Sequence, residues 1–311
     1  MAAAMATDLA HIPSVEVHLL RDASIEVFDP TPPDHLQEHL VQSIAERNDS
    51  FDRLASAMDQ TLVIAPETNN ILLETSQRVL DVGGRLLSPH PEVIAIAGDK
   101  WLTHQKLRQG GVRVPPSVNI DSSNATEFDE GFDGHQLICK PRDGAGSEGI
   151  RRISPDQVRE LNEKMMVEGL VNGTPTSVAA LSGPSNTILL APMQQFIAKE
   201  DGFAFHGGRS LLHKPELCQR AHELARAAIE CLPNPTGYLG VDLVLGHKDD
   251  TSEDTVIEIN PRITTSYIGL RAMAKSNLAE AMVSIGQGHR TQIEFHDRGL
   301  QFFPNGEIEW I

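Results

Sequence analysis

Two sets of residues in this chain have the types and spacing to do chemistry. The first lies in CKPRDGAGSEGI, Cys139 to Ile150, where Gly144, Gly146 and Gly149 read G-x-G-x-x-G. Glycines let a backbone approach a ligand closely and turn its amides toward phosphate oxygens. The same pattern opens a dinucleotide-binding turn, but only where a strand leads into a helix whose N-terminus faces the pyrophosphate. Here IRRIS, Ile150 to Ser154, reads as a short strand and Pro155 follows it, so the loop joins strand to strand. Glu168 falls near the place of a ribose-binding acid, yet the strand–loop–strand context outweighs that spacing. No G-K-[ST] closes the loop, so it is not a P-loop. The expectation is a glycine-rich flap over phosphates, with Lys140 on the incoming strand adding a point charge. The plainer alternative is a glycine-rich hairpin turn.

The second set lies in GVDLVLGHKDDTSEDTVIEINPR, where two alternating runs flank a polar turn, His247 to Asp254. A turn centred on Asp250 sets Asp242 opposite Glu258, and the two-residue period of a strand puts Glu258 and Asn260 on one face. Opposed carboxylates on one face repel each other. Such a pair beside Asn, set among Val, Ile and Leu, calls for a cation. Oxygen-only donors suit Mg²⁺ or Mn²⁺, held by one or two carboxylates together with substrate phosphates. The other reading is a solvated outer face of the sheet. Arg262 joins the same face if the strand persists through Pro261. Taken with Lys100 and Lys140, the two sets describe a nucleoside-triphosphate site.

These residues need elements to hold them. In the first hundred residues SVEVHLL, TLVIAP and EVIAIAG read as strands, while HLQEHLVQSIAERNDSFDRLASAMD and NILLETSQRVLDVG carry helical spacing. Strands alternating with helices imply a parallel sheet, hence an α/β lobe within residues 1–98. From residue 99 a helix capped by Asp99 runs to Gly110-Gly111. It is followed by strands HQLICKP, IRRIS and MMVEGLV, and by a helix SPDQVRELNEK with Ser154 and Pro155 as its N-cap and first residue. Beyond residue 170, strands TSVAALSG, NTILLAPMQQFIA, GYLGVDLVLG and TVIEINPRI join helices PELCQRAHELARAAIECL and LAEAMVSIG in an α+β region of mostly antiparallel character. FHGGRS, Phe205 to Ser210, reads either as a phosphate-side loop or as a turn.

Composition narrows the classes. With 311 residues, 40% of them hydrophobic, the chain fits two or three lobes with sizeable cores. A net charge of −17 argues against nucleic acid or an anionic membrane as the main partner. Three cysteines without C-x-x-C spacing read as reduced thiols of a cytoplasmic protein. The Ala-rich start lacks a basic n-region, and no run approaches the roughly 20 apolar residues of a membrane span. The thirteen histidines form no zinc motif.

The segments DKWLT, ICKPRDGAGSEGI, MVEGLVNG, GVDLVL and VIEINPRITTSYIGLR, in that order, resemble the ATP-grasp superfamily over nearly the whole chain. Within it, IAPETNNILL and EINPRITTSYIGLR are most similar to the tyramine–L-glutamate ligases of methanofuran-type cofactor biosynthesis. The resemblance implies an ATP-grasp fold combining α/β and α+β parts. A Rossmann-like pre-ATP-grasp lobe (1–98) would precede an N-subdomain with the flap (99–170) and a C-subdomain with the metal site (171–311), the two subdomains sandwiching the nucleotide. By the same resemblance, Lys100 and Lys140 are phosphate-binding lysines. Asp143 to Gly149, with Gly144, Gly146 and Ser147, form the mobile loop. Glu168, Gly169, Leu170 and Val171 form the hinge that meets adenine. Asp242, Glu258 and Asn260 are metal ligands, and Arg262 steadies the transferred phosphate. One departure stands out. The family usually carries G-x-E-x-[ST]-V with its Glu on the ribose, whereas this chain has GTPTSV with Pro175 in that place. Ribose recognition is then weakened or rebuilt, with Glu168 the candidate.

The implied activity is an ATP-dependent carboxylate–amine ligase forming an amide through an acyl phosphate, with ATP and Mg²⁺ (or Mn²⁺) as cofactors. Lys140 and Arg262 are the catalytic candidates, glutamate and tyramine the implied substrates, and a homodimer the implied assembly. Glu67, in APETNN just past a strand end, is placed to accept a substrate ammonium, or else caps the next helix. Thr264, Thr265, Ser266, Tyr267 and Arg271 follow the metal strand and are placed to read a substrate carboxylate; Arg271 reads equally as a surface helix residue. The rival readings are an ATP-grasp kinase, a non-catalytic ATP-binding sensor and, weakest, a dehydrogenase.

Overall fold

A computed structural model describes residues 1–25, 34–120, 132, 136–161, 164–198, 202–248 and 250–311, and every element below lies among these described residues. His135, Asn162, Glu163 and Asp249, which fall in expected elements, lie outside them.

The first lobe opens with helix α1 (Ala2–Ala10), then strands β1 (Val17–Asp22) and β2 (Leu36–Val41), and helices α2 (Ile44–Ala57), α3 (Ile71–Asp81) and α4 (Pro91–Ala97). β1 and β2 pair in parallel. Three expectations fail locally. HLQEHLV is strand β2 rather than the start of a helix. Leu36 and Leu40 share a helical spacing, but the paired backbone of β1 decides the matter. The helix begins only where Ser43 accepts a hydrogen bond from the Glu46 amide (3.2 Å) and Glu46 accepts one from the Gln42 amide (2.8 Å). EVIAIAG is helix α4 rather than a strand. Pro91 occupies its first turn, and Val93, Ile94 and Ala97 are buried at helical spacing. A five-residue apolar run, Val93 to Ala97, fits either state, and Pro at the first helical position favours the helix. TLVIAP contributes only an isolated parallel bridge between Thr61 and Leu86.

Helix α5 (Lys100–Gln109) starts where expected, since Asp99 Oδ1 accepts from the Trp101 and Leu102 amides at 2.8 and 3.1 Å. It leads to strands β3 (Ser117–Asn119), β4 (Leu137–Pro141), β5 (Arg151–Ile153) and β6 (Met165–Gly169), an antiparallel sheet in the order β3-β6-β4-β5. The glycine loop joins β4 to its neighbour β5, the expected strand–loop–strand arrangement. Among its described residues, SPDQVRELNEK forms a 3₁₀ segment, Pro155–Glu160, rather than the expected α-helix.

The rest of the chain builds one large antiparallel sheet. Its strands are β7 (Thr174–Ser182), β8 (Thr187–Leu189), β9 (Met193–Ala198), β10 (Ala204–Ser210), β11 (Gly237–Leu245), β12 (Thr255–Asn260), β13 (Leu300–Phe302) and β14 (Ile308–Trp310). The order is β12-β11-β7-β9-β10-β13-β14, with β8 against β7. The single strand expected over NTILLAPMQQFIA is split into β8 and β9 around Pro192, which has no N–H to give a ladder. FHGGRS lies within β10 and is neither loop nor turn. Helix α6 (Pro215–Glu230) packs Ala221, Ala225 and Ala228 on one face of the sheet, against Val178, Ala180, Leu239, Val241 and Leu243. Helices α7 (Tyr267–Met273) and α8 (Leu278–Gly286) cover the other face, against Ala179, Leu181 and Tyr238. The two-residue period is visible in β7, where Val178 and Ala180 serve one core and Ala179 and Leu181 the other.

Candidate active site

α7 and α8 cover only part of their face of the large sheet. Further along β7 the same face carries Ser177 and Pro175; along β11 it carries Asp242 and Val244, paired with them residue for residue. The small sheet and its glycine loop roof this stretch, enclosing a cavity of about 460 Å³. Its roof is Ile138, Lys140, Gly146, Ser147, Glu168, Leu170 and Val171; its floor includes Ser177, Gln195, Asp242, Glu258 and Asn260; Arg262, Thr264, Thr265 and Ser266 close one end.

The floor has the register read from sequence: Asp242 pairs with Glu258 and Gly240 with Asn260, before a bulge shifts Leu243 opposite Val256. Asp242 accepts hydrogen bonds from Asn260 Nδ2 and Gln195 Nε2, both at 2.9 Å. Burial and the facing Glu258 carboxylate nevertheless push Asp242 up to about 7. Burial works against ionisation of Glu258 too, but Lys100, Lys140 and Arg262 overcome it and hold that carboxyl below its ordinary value. Lys100 Nζ stands 3.6 Å from Glu258 and donates to the Gly144 carbonyl at 2.9 Å, so it ties the loop to the floor.

The roof is compensated differently. Lys140 and Ile138 share one face of β4, while Leu137 and Cys139 turn into the small core. Lys140 Nζ lies 2.6 Å from Glu168 on the adjacent strand, and both residues are buried. The backbone at the end of β6 is already engaged, with the Gly169 amide donating to Pro116 and the Leu170 amide to Gln136. Gly146 and Gly149 have φ of +72° and +74°, which a side chain would strain, and Gly149 packs on Pro141.

Of the residues singled out from sequence, Lys140, Gly146, Ser147, Glu168, Leu170, Val171, Asp242, Glu258, Asn260, Arg262, Thr264, Thr265 and Ser266 line one cavity. Lys100 reaches it through Glu258. Asp143, Gly144, Gly149 and Gly169 do not line it; Asp143 instead accepts from the Asn69 amide at 2.9 Å. Glu67 is not open to a ligand ammonium from this cavity, because both of its oxygens accept from Arg262 Nε, at 2.9 and 2.8 Å. Tyr267 and Arg271 do not reach the cavity. The first turns of α7 carry them round to Asp8 of α1, which accepts from the Tyr267 hydroxyl at 2.6 Å and from Arg271 Nε at 2.7 Å. Sequence reasoning missed Gln195 and Ser177. Each is a polar residue in a strand of otherwise apolar inward positions, and that was the available signal.

A divalent cation fits the floor. Two half-buried carboxylates facing each other, beside an amide oxygen, are a hard-oxygen donor set. Among the described residues no group of three or more His, Cys, Asp or Glu is arranged to hold a metal. The protein therefore offers two carboxylates and an amide, which suits an ion that shares its shell with phosphate oxygens. Among the described residues no helix is long and apolar enough to cross a membrane.

The ATP-grasp domain family matches residues 97–266, and the pre ATP-grasp 3 domain family matches residues 15–94. Over 248 residues the chain is 27% identical to a tyramine–L-glutamate ligase of Methanocaldococcus fervens, covering 80% of this chain and 72% of that one. The fold is similar to that of an ATP-grasp superfamily protein from Archaeoglobus fulgidus (22% identity, TM-score 0.65, covering 86% of this chain and 74% of that one). It is also similar to the biotin carboxylase domain of 2-oxoglutarate carboxylase from Hydrogenobacter thermophilus, solved with MgADP (15% identity, TM-score 0.76, covering 96% and 71%). The chain belongs to the ATP-grasp family.

Proposed function

We propose that the protein joins a carboxylate to an amine at the expense of ATP, through an acyl phosphate, with glutamate and tyramine the first pair to consider. The observation that carries the reading is the cavity itself: a glycine loop and Lys140 above, Asp242, Glu258 and Asn260 below, and Arg262 at one end. The similarity to a tyramine–L-glutamate ligase supports the substrate pair. On this reading residues 1–98 form the pre-ATP-grasp lobe, 99–170 the flap subdomain and 171–311 the metal subdomain.

The obstacle in phosphoryl transfer is charge on the moving group, so positioning and electrostatics do most of the work. Mg²⁺ or Mn²⁺ held by Asp242, Glu258 and the Asn260 oxygen would supply Lewis-acid charge to the phosphate oxygens. Lys140 leaves Glu168 for the phosphates, and Lys100 adds a second cation from the loop side. An oxygen of the substrate carboxylate attacks the γ-phosphorus, the bond to the β-phosphate oxygen breaks, and ADP leaves. Arg262 steadies the acyl phosphate. The neutral amine then attacks the acyl carbon, inorganic phosphate departs carrying the amine proton, and the amide is complete. No side chain is needed as a nucleophile. The glycine loop and the apolar wall of Ile138, Leu243 and Ile257 exclude the water that would hydrolyse the intermediate. A cytoplasmic location belongs to the same proposal.

The test is an ADP-release screen of amino acids crossed with amines in the presence of Mg²⁺, glutamate and tyramine first. The reading expects release that requires both an acid and an amine. Release supported by a hydroxyl compound alone would instead make the protein a kinase.

A further inference from the structure

The residue that sequence reasoning offered to a substrate ammonium is already in use. Glu67 is 6% exposed, and its carboxylate sits on Arg262 Nε from 195 positions away in the chain. Arg262 also donates from Nη1 to the Ile263 carbonyl at 3.3 Å. A guanidinium is planar with a fixed fork of donors, so holding Nε and Nη1 on the protein side sets the plane in which it meets the cavity. The same short loop touches the other wall, for the Asn69 amide donates to Asp143 at the base of the glycine loop. It is itself well fixed. Asn69 and Asn70 adopt left-handed backbone angles, φ +53° and +60°, which Asn tolerates better than most residues. The Asn70 amide donates to the Glu67 carbonyl at 3.1 Å and the Leu72 amide to the Pro66 carbonyl at 3.0 Å. Directly behind it, Leu72 and Val79 of α3 are fully buried in the core of the first lobe.

We propose that Glu67 is a positioning residue for Arg262, presented by a loop, Pro66–Asn70, that also grips the base of the flap. The first lobe thereby aligns the arginine of the cavity without contacting the reacting atoms. The catalytic meaning of this alignment rests on the ligase reading; the alignment itself does not. A salt bridge that merely glued the two lobes would show equally in stability, so the test has to separate the roles.

Kinetically, the test is a double-mutant cycle of Glu67→Ala and Arg262→Ala in the full chain. Glu67→Ala is expected to lower kcat by about 100-fold, the scale of a misplaced catalytic group. The KM for ATP should change by less than about 3-fold, since the nucleotide is held elsewhere. In the Arg262→Ala background the same change should cost less than about 3-fold in kcat, because there is nothing left to position. Glu67→Gln, which keeps an acceptor for Nε, should recover at least about a tenth of the wild-type kcat. Equal losses in both backgrounds overturn the proposal. Independently of any activity, the Arg262 Nε–H resonance should exchange with solvent about tenfold faster or more in Glu67→Ala than in the parent chain. Unchanged exchange overturns the alignment. If no acid–amine pair releases ADP, the ligase reading fails while the exchange measurement still decides the alignment.

Discussion

The roof and the floor of the cavity carry charge in opposite ways. In the roof, Lys140 and Glu168 neutralise each other at 2.6 Å while both are buried. In the floor, Asp242 and Glu258 face each other as like charges, and burial together with Glu258 pushes Asp242 up to about 7. The roof pairs its charges without a ligand, and on the proposed function it would give up that ion pair to bind phosphate. In the floor Lys100, 3.6 Å from Glu258, offsets part of that repulsion, and a cation beside Asp242 would offset the rest. On the proposed function, ligand binding would cost something on one wall and relieve something on the other, and so favour the nucleotide and its metal together.

The largest effect that tests this contrast falls on the roof. Lys140→Ala leaves Glu168 buried without its cation and should destabilise the protein by about 3 kcal/mol, read by denaturant unfolding. The double change Lys140→Met with Glu168→Leu should recover most of that stability, because a buried ion pair replaced by apolar side chains is often neutral. If the single and double variants unfold alike, the roof pair is not the compensated unit described here.

A smaller effect belongs to the floor. Asp242 must lose its proton to hold a cation, so apparent Mg²⁺ affinity should fall about tenfold per pH unit below about 7 and level off above it. Isothermal titration between pH 6 and 8.5 reads this directly. Linkage fixes the sign for the metal-free protein. A carboxyl with a raised value binds more protons folded than unfolded, so its contribution is present at acid pH and is lost as pH rises toward 7. Asp242→Asn should remove both the proton linkage and the metal binding, and should stabilise the metal-free protein above pH 7. A Mg²⁺ affinity flat across this range would break the contrast from the other side.

The floor was the part most legible in sequence. Two alternating strands and one polar turn fix their own register, and a single assumption, the turn centred on Asp250, set Asp242 opposite Glu258. The flap was legible for a similar reason, since Ser154-Pro155 ruled out a helix directly after Gly149. The first lobe was less so. In EVIAIAG, all apolar but one, period carries little information, and the packing of Val93, Ile94 and Ala97 decides between strand and helix. Contacts between distant segments left no local trace. Nothing near Tyr267 or Arg271 points to Asp8, and nothing near Glu67 points to Arg262, because those partners are chosen by how the lobes dock. Offering Thr264 to Tyr267, and Arg271 in one of its two readings, to a substrate carboxylate followed from their position after β12. The helix that begins at Tyr267 turns its later residues away from the cavity while Thr265 and Ser266 remain in it.

The most direct measurement of the central claim follows an oxygen atom. With the acid–amine pair that supports ADP release, the substrate carboxylate is labelled with ¹⁸O and the phosphate product is examined by mass spectrometry. An acyl phosphate formed by carboxylate attack and opened by the amine transfers one labelled oxygen from acid to phosphate in every turnover. Phosphate that emerges without label, while amide is formed and ADP released, would contradict the account.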